Sequence, residues 1–135
     1  MPTQIYQRKG GGGLEIPMAF ELADEYVAIY KEPQLLAAAD GILWDPGTNS
    51  AYAYSVEFLV VNVHNALVTV SIGHDINSGG ALTAAEYWMF SEVIPFPGNS
   101  GWRGPFTIDG ADDVRGWCAT GAAHANVQWR IRRLW

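Results

Sequence analysis

Residues 54–72 constrain the fold more than any other stretch. Val56, Phe58 and Val60 fall on one face of an extended chain, and Leu59 and Val61 fall on the other. A strand that is apolar on both faces reads as a central strand covered on both sides. Asn62, Val63, His64, Asn65 and Ala66 follow. Asn62 and Asn65 suit a turn, because their side chains bond local backbone and tolerate left-handed conformations. Beyond them Val68, Val70 and Ile72 alternate with Thr69 and Ser71, as in a strand with one buried and one wetter face. The expectation is a central hairpin in an all-β domain.

The flanking chain repeats the pattern of short strands between turns. Tyr26, Ala28 and Tyr30 alternate against Val27 and Ile29, and Pro33 interrupts them. Residues 35–44 extend to Asp45-Pro46-Gly47, where proline fixes φ and glycine supplies a positive one. Thr83 and Glu86 have capping-box spacing, which predicts a helical turn over residues 84–88. Residues 90–96 read as a strand closed by prolines. Residues 102–108 read as an edge or bulged strand, because Gly104-Pro105 interrupts them. Residues 114–119 and 125–134 form a last pair joined through Thr120-Gly121. In the second of these, Val127, Trp129 and Ile131 point inward, and Asn126, Gln128, Arg130 and Arg132 point outward.

About eight strands at this spacing give an antiparallel β-sandwich, jelly-roll-like, and the 15 glycines and 7 prolines supply its turns. A length of 135 residues fits one such domain, assigned here to residues 33–135. Residues 1–32 read as a flexible N-terminal arm whose four-glycine linker follows Arg8 and Lys9. That linker lacks the lysine and the following helix of a phosphate loop.

The charge of −6 argues against nonspecific nucleic-acid binding. No apolar run approaches the roughly 20 residues of a membrane helix, and none resembles a signal peptide. The single cysteine, Cys118, excludes an internal disulfide and reads as a core thiol. His64, His74 and His124 stand in no metal-ligand spacing, and His74-Asp75 reads as a surface pair. Asp112-Asp113 reads as a turn ending in solvent, since neighbours on a strand point to opposite faces and could not share a site. The residues therefore imply no cofactor, no metal and no catalytic group. Trp44, Trp88, Trp102 and Trp135 lie near turns or ends, where they either stack on sugars or fill the core or an interface between copies. Arg130, Arg132 and Arg133 cluster near the end of the chain. The acidic stretch 14–32 could meet them within the chain or between copies.

From Trp44 onward the chain shows an extended strand ending in asparagine (Phe58-Leu59-Val60-Val61-Asn62) and a Val/Thr-rich partner (Val68-Thr69-Val70-Ser71-Ile72). A proline-flanked strand (Val93-Ile94-Pro95-Phe96-Pro97) and Gly104-Pro105-Phe106-Thr107-Ile108 follow. Asp112-Asp113-Val114-Arg115-Gly116 and Val127-Gln128-Trp129-Arg130-Ile131 close the series. This order resembles small β-sandwich virion proteins of tailed bacteriophages. The resemblance implies a non-enzymatic structural role in a particle assembled in the host cytoplasm. Capsid decoration is the first expectation, and tail, neck or fibre attachment the second. A carbohydrate-binding module or adhesin that meets a surface glycan is the alternative of another class. The implied partners are further copies of the chain and a major capsid or tail protein. Strand edges left unprotected by a proline-interrupted set favour a homo-oligomer, a trimer before a dimer. The arm is expected to lie on a neighbour, with Ile5 and Tyr6 as apolar anchors and Arg8 and Lys9 against acidic surface. Tyr26 to Tyr30 would add as a strand to a neighbour's edge. Trp102, Arg130, Arg132 and Arg133 complete the expected interface.

Overall fold

The computed structural model describes residues 27–47 and 51–134. They form ten strands and no α-helix: β1 (Val27–Ile29), β2 (Gln34–Leu35), β3 (Gly41–Trp44), β4 (Ala53–Asn62), β5 (Val68–Asp75), β6 (Tyr87–Ile94), β7 (Gly98–Asn99), β8 (Arg103–Asp109), β9 (Asp113–Cys118) and β10 (Ala125–Arg133). All pairings are antiparallel. The first sheet runs β1-β10-β4, with β7 and β8 on the far side of β4 and β2 added to β10. The second runs β3-β9-β5-β6. The two sheets pack as a β-sandwich.

Alternation decides what lies between them. Val56, Phe58 and Val60 of β4 are fully buried, while Leu59 and Val61 are half-buried. Val68, Val70 and Ile72 of β5 and Val114 and Cys118 of β9 face them from the other sheet, and Val127 and Ile131 of β10 flank them in their own. Phe58 sits at the centre, its ring 6.1 Å from Trp88, 6.1 Å from Phe106 and 6.3 Å from Trp129. Trp129 thus points inward, as its place in the alternation predicts.

The pairing of neighbours differs from the expectation in two places. Residues 54–72 are not a hairpin: β4 belongs to the first sheet and β5 to the second, so the turn is an arch that crosses the core. Asn62, only 4% exposed, holds that arch. Its Nδ2 donates to the carbonyls of Ala66 (2.8 Å) and Ile94 (2.9 Å), and its Oδ1 accepts from the His64 N–H (2.8 Å). Likewise β9 and β10 are not partners but lie in opposite sheets. In both cases the apolar faces meet across the core instead of lying side by side.

The boundary of the arm also moves. Val27, Ala28 and Ile29 pair with Arg133, Arg132 and Ile131 of the same chain, so the sandwich begins by Val27 and not at residue 33. These residues complete their own sheet and are not free to extend a neighbour's. The expected irregularity in residues 102–108 is present: the β4–β8 register shifts between Val56 and Phe58, opposite Gly104-Pro105. Gly104 has φ +106°, and a Cβ there would sit 2.7 Å from the Val56 carbonyl oxygen, so only glycine fits.

Candidate interaction surface

On the outer face of the first sheet, the alternation of β10 carries Gln128, Arg130 and Arg132 outward. The register sets Arg130 opposite Glu57 and Arg132 between Ser55 of β4 and Ala28 of β1. Trp102 enters this face just before β8. The Arg130 guanidinium lies 3.8 Å from the centre of its ring, and Arg130 Nη1 reaches Glu57 Oε1 at 3.5 Å. Carrying the β1–β10 register one step further places Tyr30, 82% exposed, level with Arg130. Trp102 is 40% exposed. Arg133 points to the other side, its guanidinium 4.1 Å above the Tyr52 ring. Lys31 lies 5.6 Å from the Trp129 ring.

The expected interface residues therefore converge in part. Tyr30, Trp102, Arg130 and Arg132 share one face, and Arg133 lies at its margin. Ile5, Tyr6, Arg8, Lys9 and Tyr26 lie outside the described residues. Of the remaining described cations, Arg103 pairs with both oxygens of Glu92, and Arg115 pairs with Asp40 at 3.2 Å beside Asp75 at 4.0 Å. Arg103 and Arg115 are thus paired away from this face, while on β10 Arg130, in contact with Glu57 and Trp102, and Arg132 are exposed. An exposed Arg–Trp stack contributes about 0.5–1 kcal/mol and holds both side chains in place before any partner arrives. Trp, Tyr and Arg are the residues that most often dominate binding at interfaces.

Among the described residues, Trp44 and Trp88 are packed against other rings and offer no open face for a sugar. Trp44 packs edge-on against Tyr54 at 5.2 Å, and Trp88 stacks on Phe106 at 4.5 Å inside the sandwich. Arg130 covers one face of Trp102. Trp135 lies outside the described residues.

The carboxylates expected in solvent are buried. Asp75, Asp112 and Asp113 are 1%, 6% and 2% exposed. Asp75 Oδ1 and Oδ2 accept from the N–H groups of Gly79 (2.9 Å) and Gly80 (2.7 Å). Asp112 Oδ1 accepts from Asn77 N–H (2.9 Å). Glu86 forms the predicted capping box with Thr83 and also accepts from Ile76 N–H at 2.8 Å. Three carboxylates thus pin the loop between β5 and β6. They satisfy backbone donors that no strand neighbour reaches. Those same bonds, from Thr83 and Ile76, hold the Glu86 carboxyl below its ordinary range. Burial pushes Asp113 the other way, and its Oδ1 has no hydrogen-bond partner. No group of three or more candidate ligands suited to a metal occurs among the described residues.

His64 and His124 are stacked, ring centres 3.6 Å apart and 6° from parallel, beside a bond from Val63 N–H to the His124 carbonyl (3.0 Å). They tie the β4–β5 arch to the β9–β10 crossover. Cys118 is fully buried, its Sγ 3.2 Å from Thr120 Oγ1. Among the described residues no helix is long and apolar enough to cross a membrane. No protein-family model, curated protein or solved structure matches the chain.

Proposed function

We propose that the chain is a non-enzymatic structural protein of a tailed-phage particle, a capsid decoration or accessory protein assembled in multiple copies. Tail, neck or fibre attachment is the alternative location. The order of strand motifs supports the phage setting. The observation that carries the assembly role is the outer face of the first sheet, where Arg130 and Arg132 of β10 stand beside Trp102, just before β8, and Tyr30, just after β1. Such a face suits repeated weak contacts, because many identical weak contacts on one particle sum to firm attachment. The partners are further copies, with a trimer the first expectation, and the major capsid or tail protein.

Sedimentation velocity on the full chain tests this. Species larger than a monomer are expected, dissociating with Trp102→Ala or Arg130→Ala and shrinking as salt rises. A chain that stays monomeric at every concentration, and does not bind purified phage heads or tails, overturns the proposal.

A further inference from the structure

Among the described residues, one end of the sandwich carries no formal charge, its histidines being neutral. β4 ends there at Asn62, opposite Ala125 at the start of β10 and Gly98 of β7. Val68 at the start of β5 meets Ile94 at the end of β6, and Leu35 of β2 meets Asn126. The β4–β5 arch, the β6–β7 turn, the β9–β10 crossover and β2 therefore share this end. The stretches that build it, residues 33–39, 58–74, 93–102 and 116–129, contain no Asp, Glu, Lys or Arg. The carboxylates of Asp45, Asp75, Asp109, Asp112 and Asp113 gather at the other end, where Trp44 pairs with Val114, Ala53 with Asp109 and Asp75 with Asp113.

At the uncharged end Leu35, Val63, Leu67 and Phe96 are 54%, 49%, 57% and 52% exposed. Single exposed apolar residues are ordinary, but four on one end form a patch of the kind that marks a contact. The patch is held in shape. Asn62 ties the arch to itself and to the Ile94 carbonyl shortly before Phe96, and the stacking of His124 on His64 ties in the crossover. A preformed patch loses little conformational freedom on binding. The segments outside the described residues join the chain at the other end, where Val27 pairs with Arg133 and the Leu134 N–H donates to the Ala53 carbonyl.

We infer that this end is a contact between two copies of the chain, patch against patch about a two-fold axis. This rests on the multi-copy reading and adds a second contact to the β10 face. Charge selects the occupant. A chain of net charge −6 repels its copies, and the cost grows as their carboxylates approach. The ten residues of β4 span roughly 33 Å at about 3.3 Å each. Joined at their uncharged ends, two copies keep their acidic ends roughly 66 Å apart, many times the Debye length of about 8 Å at physiological ionic strength. A side-by-side pair brings the acidic ends together and needs cations between the copies, as the β10 face supplies. The same patch on both copies makes the contact isologous, so on its own it closes as a dimer. The end of two packed sheets is a small footprint, so the pair is weak in isolation and gains from the other contacts on one particle.

The full chain tests the inference, with the buried Cys118 left in place. At about 1 M salt the Debye length falls to about 3 Å and the β10-face contact is screened. Sedimentation velocity there should still find a dimer at high concentration. Leu67→Asp and Phe96→Asp should each raise the concentration needed for it by roughly tenfold or more, with thermal unfolding of the monomer unchanged. Oxidised Leu67→Cys chains, alone or mixed with Phe96→Cys chains, should give a covalent dimer well above that of Ile42→Cys chains, whose residue is 52% exposed but lies on β3. A dimer that ignores the Asp substitutions overturns the end contact and leaves the multi-copy reading standing. So does a chain that associates at low salt and is monomeric at high salt. A chain that stays monomeric at high salt and unfolds at lower temperature with Leu67→Asp covers this end itself, which also overturns the pairing. An unaltered chain that never associates overturns both.

Discussion

Phe58→Ala measures how far one residue holds the two sheets together. Phe58 is fully buried at the middle of β4, beside Trp129 on β10 in the same sheet and against Trp88 on β6 in the other. Truncation removes a large apolar side chain and leaves three aromatic neighbours around a void that their own packing prevents from collapsing. Such changes cost about 3–5 kcal/mol, the transfer term plus the cavity. A domain of this size gains roughly 0.2–0.3 kcal/mol/K of unfolding entropy, so a loss of about 4 kcal/mol lowers Tm by roughly 13–20 °C. That is a large share of the about 5–15 kcal/mol that holds a domain folded. Urea titration at 25 °C, with Val63→Ala in the exposed arch as control, gives the comparison; Val63 is 49% exposed and its truncation should cost about 0.5 kcal/mol or less. A Phe58→Ala loss under about 1 kcal/mol, or one equal to that of the control, would refute the reasoning about the core.

Cys118 should label only on unfolding, and Cys118→Ser should destabilise by on the order of 1 kcal/mol; fast labelling of native protein by a thiol reagent would count against the buried assignment. Gly121→Ala should destabilise and break the His64–His124 stack, because φ there is +152° and a Cβ would lie 2.4 Å from His124 Cε1; unchanged imidazole proton shifts in NMR would contradict this. Glu86 has a depressed folded pKa, so its contribution is present above its ordinary value of 4.5 and lost as pH falls through the lower folded value. Glu86→Gln should therefore flatten the acid side of the stability–pH curve. Asp113 has the opposite sign: its folded pKa is raised, so its favourable contribution is present below 3.8 and lost as pH rises through the folded value. Asp113→Asn should accordingly stabilise the chain at neutral pH, measured by denaturant titration, and a loss of stability there would contradict the account.

Strand positions were legible because alternation is a local property. The core-facing residues of β4, β5 and β10 follow from spacing alone, as do the capping box at Thr83 and Glu86 and the bulge at Gly104-Pro105. The outer face of β4, however, is half-buried and not covered, and Ser71, expected on a wetter face of β5, is buried and accepts from the Ser91 N–H. Partner choice was not local. The five residues after Val61 suit a hairpin or an arch equally well, and the arch forms because Asn62 bonds Ile94, a residue 32 positions away. The burial of Asp75 and Asp112 was hidden for the same reason: their partners are backbone N–H groups of a loop whose path only the fold defines. At the interaction face, the inward–outward alternation of β10 predicted which arginines point out. That Trp102 would lie beneath Arg130 depends on β8 and β10 flanking β4, which no spacing along the chain reveals.

The central claim is that many copies of this chain belong to a phage particle, and copy number tests it most directly. Particles of the encoding phage would be purified and their proteins quantified by mass spectrometry with isotope-labelled peptides from residues 104–115 and 116–130. The account predicts many copies per particle, in a fixed ratio to the major capsid or tail protein. Particles that lack the chain altogether, while the infected cell contains it, would contradict the account.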